Sequence, residues 1–187
     1  MACTDTIVTD NLDYCPDEEV VSGVSPVEIY ASLVSEFEEI KELPKKNVAT
    51  SLEEAGTIVG PHTFPANKGF FKISVLPDTG EVAFSNEGDK GSKSNTVSFA
   101  GTIPGTGAKQ VGFIRKYQNL PMIFLVTEND GVIKQIGSKI QPAYLSEASG
   151  SSGLKAGEVK GMPVKFSATS FSPAPVYTGA ITEFTPA

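Results

Sequence analysis

The stretch Ala108-Lys-Gln-Val-Gly-Phe-Ile-Arg-Lys-Tyr-Gln-Asn-Leu-Pro-Met-Ile-Phe-Leu-Val-Thr-Glu-Asn-Asp-Gly-Val-Ile-Lys-Gln-Ile-Gly137 reads as one amphipathic helix running straight into a two-stranded hairpin. Val111, Ile114 and Tyr117 or Gln118 recur at helical spacing and form an apolar stripe, leaving Lys109, Gln110 and Lys116 for solvent. Asn119-Leu-Pro121 stops the helix, because the residue before a proline is pushed out of the α region. Met122-Ile-Phe-Leu-Val126 is a continuous apolar run, Asn129-Asp-Gly131 is a turn signal, and Val132-Ile-Lys-Gln-Ile136 returns with mixed polarity. This stretch is scaffold; it carries no catalytic group.

Upstream, alternation marks further strands. Phe71, Ile73 and Val75 alternate with Lys72 and Ser74, and Pro77-Asp-Thr-Gly80 reverses the chain into Glu81-Val-Ala-Phe84, where Val82 and Phe84 share a face. The two strands are expected to pair antiparallel. Val97 and Phe99 point inward from Asn95–Ile103, and Thr106 is a candidate N-cap for the helix. Val27-Glu-Ile-Tyr30 reads as a short strand, and Ser35 with Glu38 as a capping box for a helical turn that Pro44 ends.

Downstream, Val164, Phe166 and Ala168 share one face of a strand over Met162–Ala168, and Ala174–Ile181 reads as a strand whose prolines favour an edge or strand-start position. The expected fold is therefore mainly β: an antiparallel sandwich or barrel of seven or eight strands with one flanking helix. The expected core is Phe71, Ile73, Val75, Val97, Phe99, Val111, Ile114, Ile123, Leu125, Val164 and Phe166.

Three segments lack the means to pack alone. Residues 1–23 carry acids and few spaced apolar groups, and read as an extended arm preceding a single domain over 24–187. Ser85–Ser94 and 146–161 are polar, glycine-rich loops. These segments hold the candidate subunit-interface residues: Leu12, Tyr14 and Val20 in the arm, Asn86, Lys90 and Lys93 in the first loop, and Tyr144, Leu145, Leu154 and Val159 around the second.

The chain has 187 residues, room for a substantial core, and a net charge of −7 from 22 acids and 15 bases. That balance, with Arg115 the sole arginine and the lysines scattered, disfavours stable binding to a phosphate backbone. It suits a surface past which nucleic acid must move without sticking. No apolar run is long enough to cross a bilayer and the first residues lack a secretion signal, so cytosolic synthesis is expected. Cys3 and Cys15 can pair with each other, pair across subunits, or stay reduced.

The sequence contains no Gly-x-Ser-x-Gly elbow, phosphate-binding loop or His-Glu-x-x-His, and Gly101-Thr-Ile-Pro-Gly-Thr-Gly107 lacks the closing lysine. The adjacent acids Glu38-Glu39 and Glu53-Glu54 point in different directions and read as solvated charge. His62 is the single histidine and reads as a loop residue. No enzyme activity, metal, cofactor or small-molecule substrate is expected.

The order of elements resembles the tail-tube and related structural virion proteins of tailed bacteriophages, especially those of Bacteroidetes hosts. The residues that carry the resemblance are Val27-Glu-Ile-Tyr30, Ser51-Leu-Glu-Glu-Ala-Gly-Thr-Ile58, Gly112-Phe-Ile-Arg-Lys116, Leu120–Val126, Gln135-Ile-Gly-Ser-Lys139 with Pro142-Ala-Tyr-Leu145, and Pro173-Ala-Pro-Val-Tyr-Thr-Gly179. The resemblance implies a sandwich assembled with itself into rings, commonly hexameric, whose inner sheets join into a barrel. It implies other virion proteins as partners, DNA as non-specific cargo, no membrane anchor, and a place in the tail of a virion made in the host cytoplasm. A capsid, neck or tail-ring component is the neighbouring reading, and an immunoglobulin-like binding module is the rival from another class.

Overall fold

A computed structural model of the chain describes residues 28–150 and 160–184. Ten strands and two α-helices run in the order β1 (Glu28–Leu33), α1 (Leu52–Gly56), β2 (Thr57–Ile58), β3 (Phe71–Ser74), β4 (Glu81–Glu87) and β5 (Ser94–Pro104). There follow α2 (Ala108–Tyr117), β6 (Met122–Thr127), β7 (Ile133–Ile136), β8 (Tyr144–Ala148), β9 (Gly161–Ser170) and β10 (Val176–Tyr177). They form a six-stranded sheet, β2-β10-β7-β6-β1-β3, and a four-stranded antiparallel sheet, β4-β5-β9-β8. The chain is mainly β, a two-sheet sandwich with a flanking helix, as its alternation predicts.

The run Met122–Val126 explains the layering. Every one of its side chains is buried, and alternate ones point to opposite faces. Met122, Phe124 and Val126 face the four-stranded sheet, where Phe124 meets Phe166 with ring centroids 4.4 Å apart. Ile123 and Leu125 face the other way, into a second cluster with Ile58, Phe70 and Tyr177 that Phe37, Ile40, Leu43 and Phe64 cover. A strand covered on both faces has no need of polar alternation, hence the unbroken apolar run.

Of the expected core residues, Ile73, Val75, Val97, Phe99, Val164 and Phe166 lie between the sheets, and Ile123 and Leu125 lie in the second cluster. Phe71 and Ile114 are half-buried against the first cluster. Val111 is a correction: it is 53% exposed, because α2 packs through Phe113, Ile114 and Tyr117 instead. Phe71 sets that helical phase by stacking on Tyr117 at 5.2 Å and meeting Phe113 edge-on at 6.4 Å.

The expected pairing of β3 with β4 is also corrected. β3 pairs with β1 while β4 pairs with β5, so Pro77–Gly80 carries the chain from one sheet to the other. Leu76 N–H bonds to Thr102 O (2.8 Å) and the left-handed Asp78 (φ 60) bends the crossing, so strand alternation was read correctly but its partner was not. Ser35 is no N-cap: Val34–Glu36 is a 3-10 turn, and the backbone of Glu38 and Glu39 bonds to Thr63 O instead.

Thr106 likewise yields to Gly107, which precedes α2 with no side-chain cap. A capping arrangement does occur at α1, where Ser51 Oγ accepts from Glu54 N–H (3.1 Å) and Glu54 accepts from both the N–H and the hydroxyl of Thr50 (2.8 Å each). Those bonds lower the Glu54 pKa. The strand expected over Ala174–Ile181 shrinks to Val176–Tyr177 and lies between β2 and β7 rather than at an edge, with Pro175 just before its start, the other position a proline favours.

Candidate assembly interface

The four-stranded sheet is long and open. β5 has 11 residues and β9 has 10, and both outer strands, β4 with seven residues and β8 with five, have an unpaired edge among the described residues. The six-stranded sheet ends differently. Its edge strands have only two and four residues, and the C-terminal segment bonds to Phe70, beside β3, through Phe70 N–H to Thr182 O (2.9 Å) and Phe184 N–H to Phe70 O (2.8 Å). Long unpaired edges present rows of backbone donors and acceptors, and short covered ones do not.

The register fixes the chemistry of the outward face of the four-stranded sheet. Thr96 lies between Ser85 and Thr169, Ser98 between Ala83 and Ser167, and Ala100 between Glu81 and Lys165. Tyr144 and Glu147 continue the face across Ser167 and Lys165. Small hydroxyl and methyl groups therefore cover it. Its charges are Glu81, Glu87 and Glu147 against Lys165, whose Nζ sits 3.9 Å from Glu147.

Phe84 is the exception on β4. Its register opposite Val97 turns it toward the core side, yet it is 58% exposed and does not join the core against which Val82, two residues earlier on the same strand, packs. At the same end of the sandwich, a cavity of about 110 Å³ opens between the sheets, lined by Leu43, Ile58, Val97, Gln135, Ile140 and Phe171 among others. Ile140 (75% exposed) and Phe171 (76%) leave apolar surface at its rim.

The structure sorts the expected interface residues. Asn86 is not in a loop: β4 runs on to Glu87 and Asn86 pairs with Asn95, so the loop shortens to 88–93, where Gly88 and Gly91 take left-handed φ angles. Lys90 and Lys93 are exposed in this turn, and Lys93 Nζ donates to Gly88 O. Tyr144 lies exposed on β8, whereas Leu145 points inward and packs half-buried against the core. The second loop also shortens, since Ser146–Ala148 belong to β8 and Gly161 starts β9. Leu12, Tyr14, Val20, Leu154 and Val159 lie outside the described residues.

No family model, curated protein or solved structure matches this chain. Chemistry has therefore to be read from the side chains themselves. Among the described residues no group of three or more His, Cys, Asp or Glu could hold a metal, and no helix is long and apolar enough to cross a membrane.

One polar network leaves no trace in the residue pattern. His62 is a loop residue as its sequence context suggests, but a buried one, 1% exposed. Lys41 N–H donates to its Nδ1 (3.0 Å), which must therefore carry the lone pair; Nε2 keeps the proton and donates to Gln135 Oε1 (2.9 Å). Gln135 Nε2–H in turn donates to Gly137 O (3.0 Å). His62 N–H donates to the Tyr177 hydroxyl (3.0 Å), that hydroxyl donates to Ala180 O (3.3 Å), and the two rings stack at 4.7 Å.

Burial, and then the Lys41 charge, push the His62 pKa down against the opposing Gln135 bond; burial likewise raises that of Tyr177. Every polar atom of the imidazole is occupied, which makes the network a clasp between the 41–62 segment, β7 and β10. Pro61 and Thr63, the flanking residues, carry no signal of this in the sequence, because its partners Gln135 and Tyr177 are 73 and 115 positions away.

Proposed function

We propose that this chain is a structural virion protein that builds a bacteriophage tail tube, in which copies join edge to edge through the four-stranded sheet into rings and the rings stack into a conduit for DNA. The observation that carries this reading is the pair of unpaired edges on one sheet. With four antiparallel strands, β4 and β8 run in opposite directions. When β8 of one copy sits beside β4 of the next, the alternation continues without a break, so a single repeated contact closes a wholly antiparallel barrel.

Size and charge support the same reading. A hexameric ring would have about 24 strands at about 4.8 Å spacing and a 35–45° tilt, giving roughly 45–52 Å between opposite backbones, wide enough for a double helix. The wall would be the outward face of small Ser, Thr and Ala side chains with a slight excess of carboxylates, which lets a polyanion slide past without adhering. The virion tail is then the proposed location, with synthesis in the host cytoplasm and other virion proteins at the two ends of the tube.

The test is the assembly state of Phe84→Lys against the parent chain. Phe84 lies on the free edge but outside the core, so the variant should keep the parent's circular dichroism. A charge there would oppose edge pairing. Negative-stain images and mass measurement should give rings or filaments for the parent and monomers for the variant. A parent that stays monomeric at high concentration would reject the reading in favour of a binding module, and rings formed equally well by the variant would reject the β4 edge as the joint.

A further inference from the structure

The net charge of this chain is concentrated at one end. Asp5, Asp10, Asp13, Asp17, Glu18 and Glu19 lie in the first 27 residues with no lysine or arginine among them, so the remaining residues, with 16 acids and 15 bases, carry only −1. The opposite pattern occurs on α2, which has Lys109, Arg115 and Lys116 and no acidic residue. All three cations are exposed, and none of them has a salt bridge among the described residues. Lys116 lies 4.9 Å from the centre of the Tyr117 ring.

Helix geometry arranges these groups in two stripes. Lys109, Gly112 and Lys116 follow one another at three- and four-residue spacing, and Ala108, Val111 and Arg115 run alongside. The small residues leave a shallow track, and Val111, 53% exposed, supplies an apolar foothold within it. Arg115 and Lys116 can be explained as cations in the last turn, which complement the helix dipole. Lys109 cannot, because it stands in the first turn, where a positive charge is unfavourable, and no acid or capping side chain offsets it.

We propose that the acidic N-terminal segment docks along the outer face of α2 in the same molecule, with its carboxylates against Lys109, Arg115 and Lys116 and an apolar side chain over Val111. The path is short. β1 begins at Glu28, opposite Ser74 of β3, and it is Phe71 of β3 that α2 packs upon. Adjacent strands are about 4.8 Å apart and α2 is about 15 Å long, whereas 27 extended residues reach roughly 90 Å. Because the attraction is between exposed charges, it weakens as the Debye length falls from about 10 Å at 0.1 M salt to about 3 Å at 1 M. The proposal does not depend on how copies of the chain associate.

Cys3 and Cys15 are the only cysteines, so a nitroxide on Cys15 in the full-length Cys3→Ser, Phe84→Lys chain, monomeric whether or not the parent assembles, reports the position of the segment. At low ionic strength the amide resonances of α2 should be broadened by the label. At least half of that broadening should disappear in 0.5 M sodium chloride, and again in the Lys109→Glu, Arg115→Glu, Lys116→Glu variant, whose buried helix face is unchanged. The salt series needs no variant and decides the matter even if the triple substitution unfolds. Resonances of α2 as sharp as those of β8, or broadening indifferent to salt, overturn the proposal. Broadening seen only when isotope-labelled protein is mixed with separate nitroxide-bearing copies places the segment on a second molecule and overturns it as well.

Discussion

Acidification should weaken this fold through His62 in a way that one substitution can isolate. The imidazole is buried and neutral, with Nδ1 accepting from Lys41 N–H and Nε2–H donating to Gln135 Oε1. Protonation would set an Nδ1–H against the Lys41 N–H, with the Lys41 ammonium opposing the new charge. The folded pKa is therefore lowered from the ordinary 6.5, so the unfolded chain binds the proton first. The contribution of His62 is fully present above pH 6.5 and falls away as pH drops from there toward the folded pKa, by no more than about 1.4 kcal/mol per pH unit for one proton.

His62→Phe keeps a ring where the stack on Tyr177 and the edge contact with Phe37 occur, but leaves the Lys41 N–H and Gln135 Oε1 unpartnered. Each orphaned group costs about 1–3 kcal/mol, so the variant should be less stable at neutral pH by roughly 2–5 kcal/mol. Urea denaturation of both proteins from pH 7.5 to 5 tests this, since carboxylates common to both cancel in the difference. The gap should narrow steadily below pH 6.5. Because His62 is the only histidine, its imidazole resonance can also be followed directly in the native state. A constant gap across that range, or an imidazole titrating at the ordinary value, would refute the assigned tautomer and its closed network.

Two further substitutions test the packing. Gly179→Ala should destabilise the fold by about 1–3 kcal/mol in denaturant titrations, because an added Cβ meets Gly60 O and the Tyr177 hydroxyl, both parts of the clasp that cannot easily retreat. On α2, Val111→Ser should change stability by less than about 0.5 kcal/mol, whereas Ile114→Asp, on the half-buried face against the core, should lower the thermal midpoint by many degrees. Equal effects of the two would mean that the helix packs in the phase its apolar spacing suggests.

That contrast shows where the sequence was legible. Strand alternation over Phe71–Val75, Asn95–Ile103 and Met162–Ala168 survives in the structure, because a period of two is imposed by the backbone itself and needs no partner to express it. The phase of α2 was less legible. Val111, Phe113, Ile114 and Tyr117 offer two overlapping stripes, and the aromatic contact with Phe71 selects between them from 42 residues away. Pairing was least legible of all. Pro77–Gly80 has the composition of a hairpin turn, and only the greater burial gained by placing β3 beside β1 and β4 beside β5 makes it a bridge between sheets. The His62 clasp joins distant positions through single hydrogen bonds, which leave no periodic trace.

The two sheets divide the work of the molecule by how their faces are covered. The six-stranded sheet is covered on both faces along β6, where Met122–Val126 is fully buried, and its edge strands are short: β3 leaves Lys72 and Ser74 exposed, and Phe70 beside it bonds to the C-terminal segment. The clasp of His62, Gln135 and Tyr177 ties its covering layer to β7 and β10. The four-stranded sheet has one buried face, one polar face, two unpaired edges and an unburied phenylalanine on the longer edge. Long exposed edges invite uncontrolled pairing, and soluble chains ordinarily blunt them with proline, bulges or inward charges. β4 has no proline or bulge, though Glu81 and Glu87 put charge on it, and β8 has Glu147 and a bulge at Leu145–Glu147. Two edges of this sheet that are unpaired among the described residues fit the proposal that copies of the chain join along them.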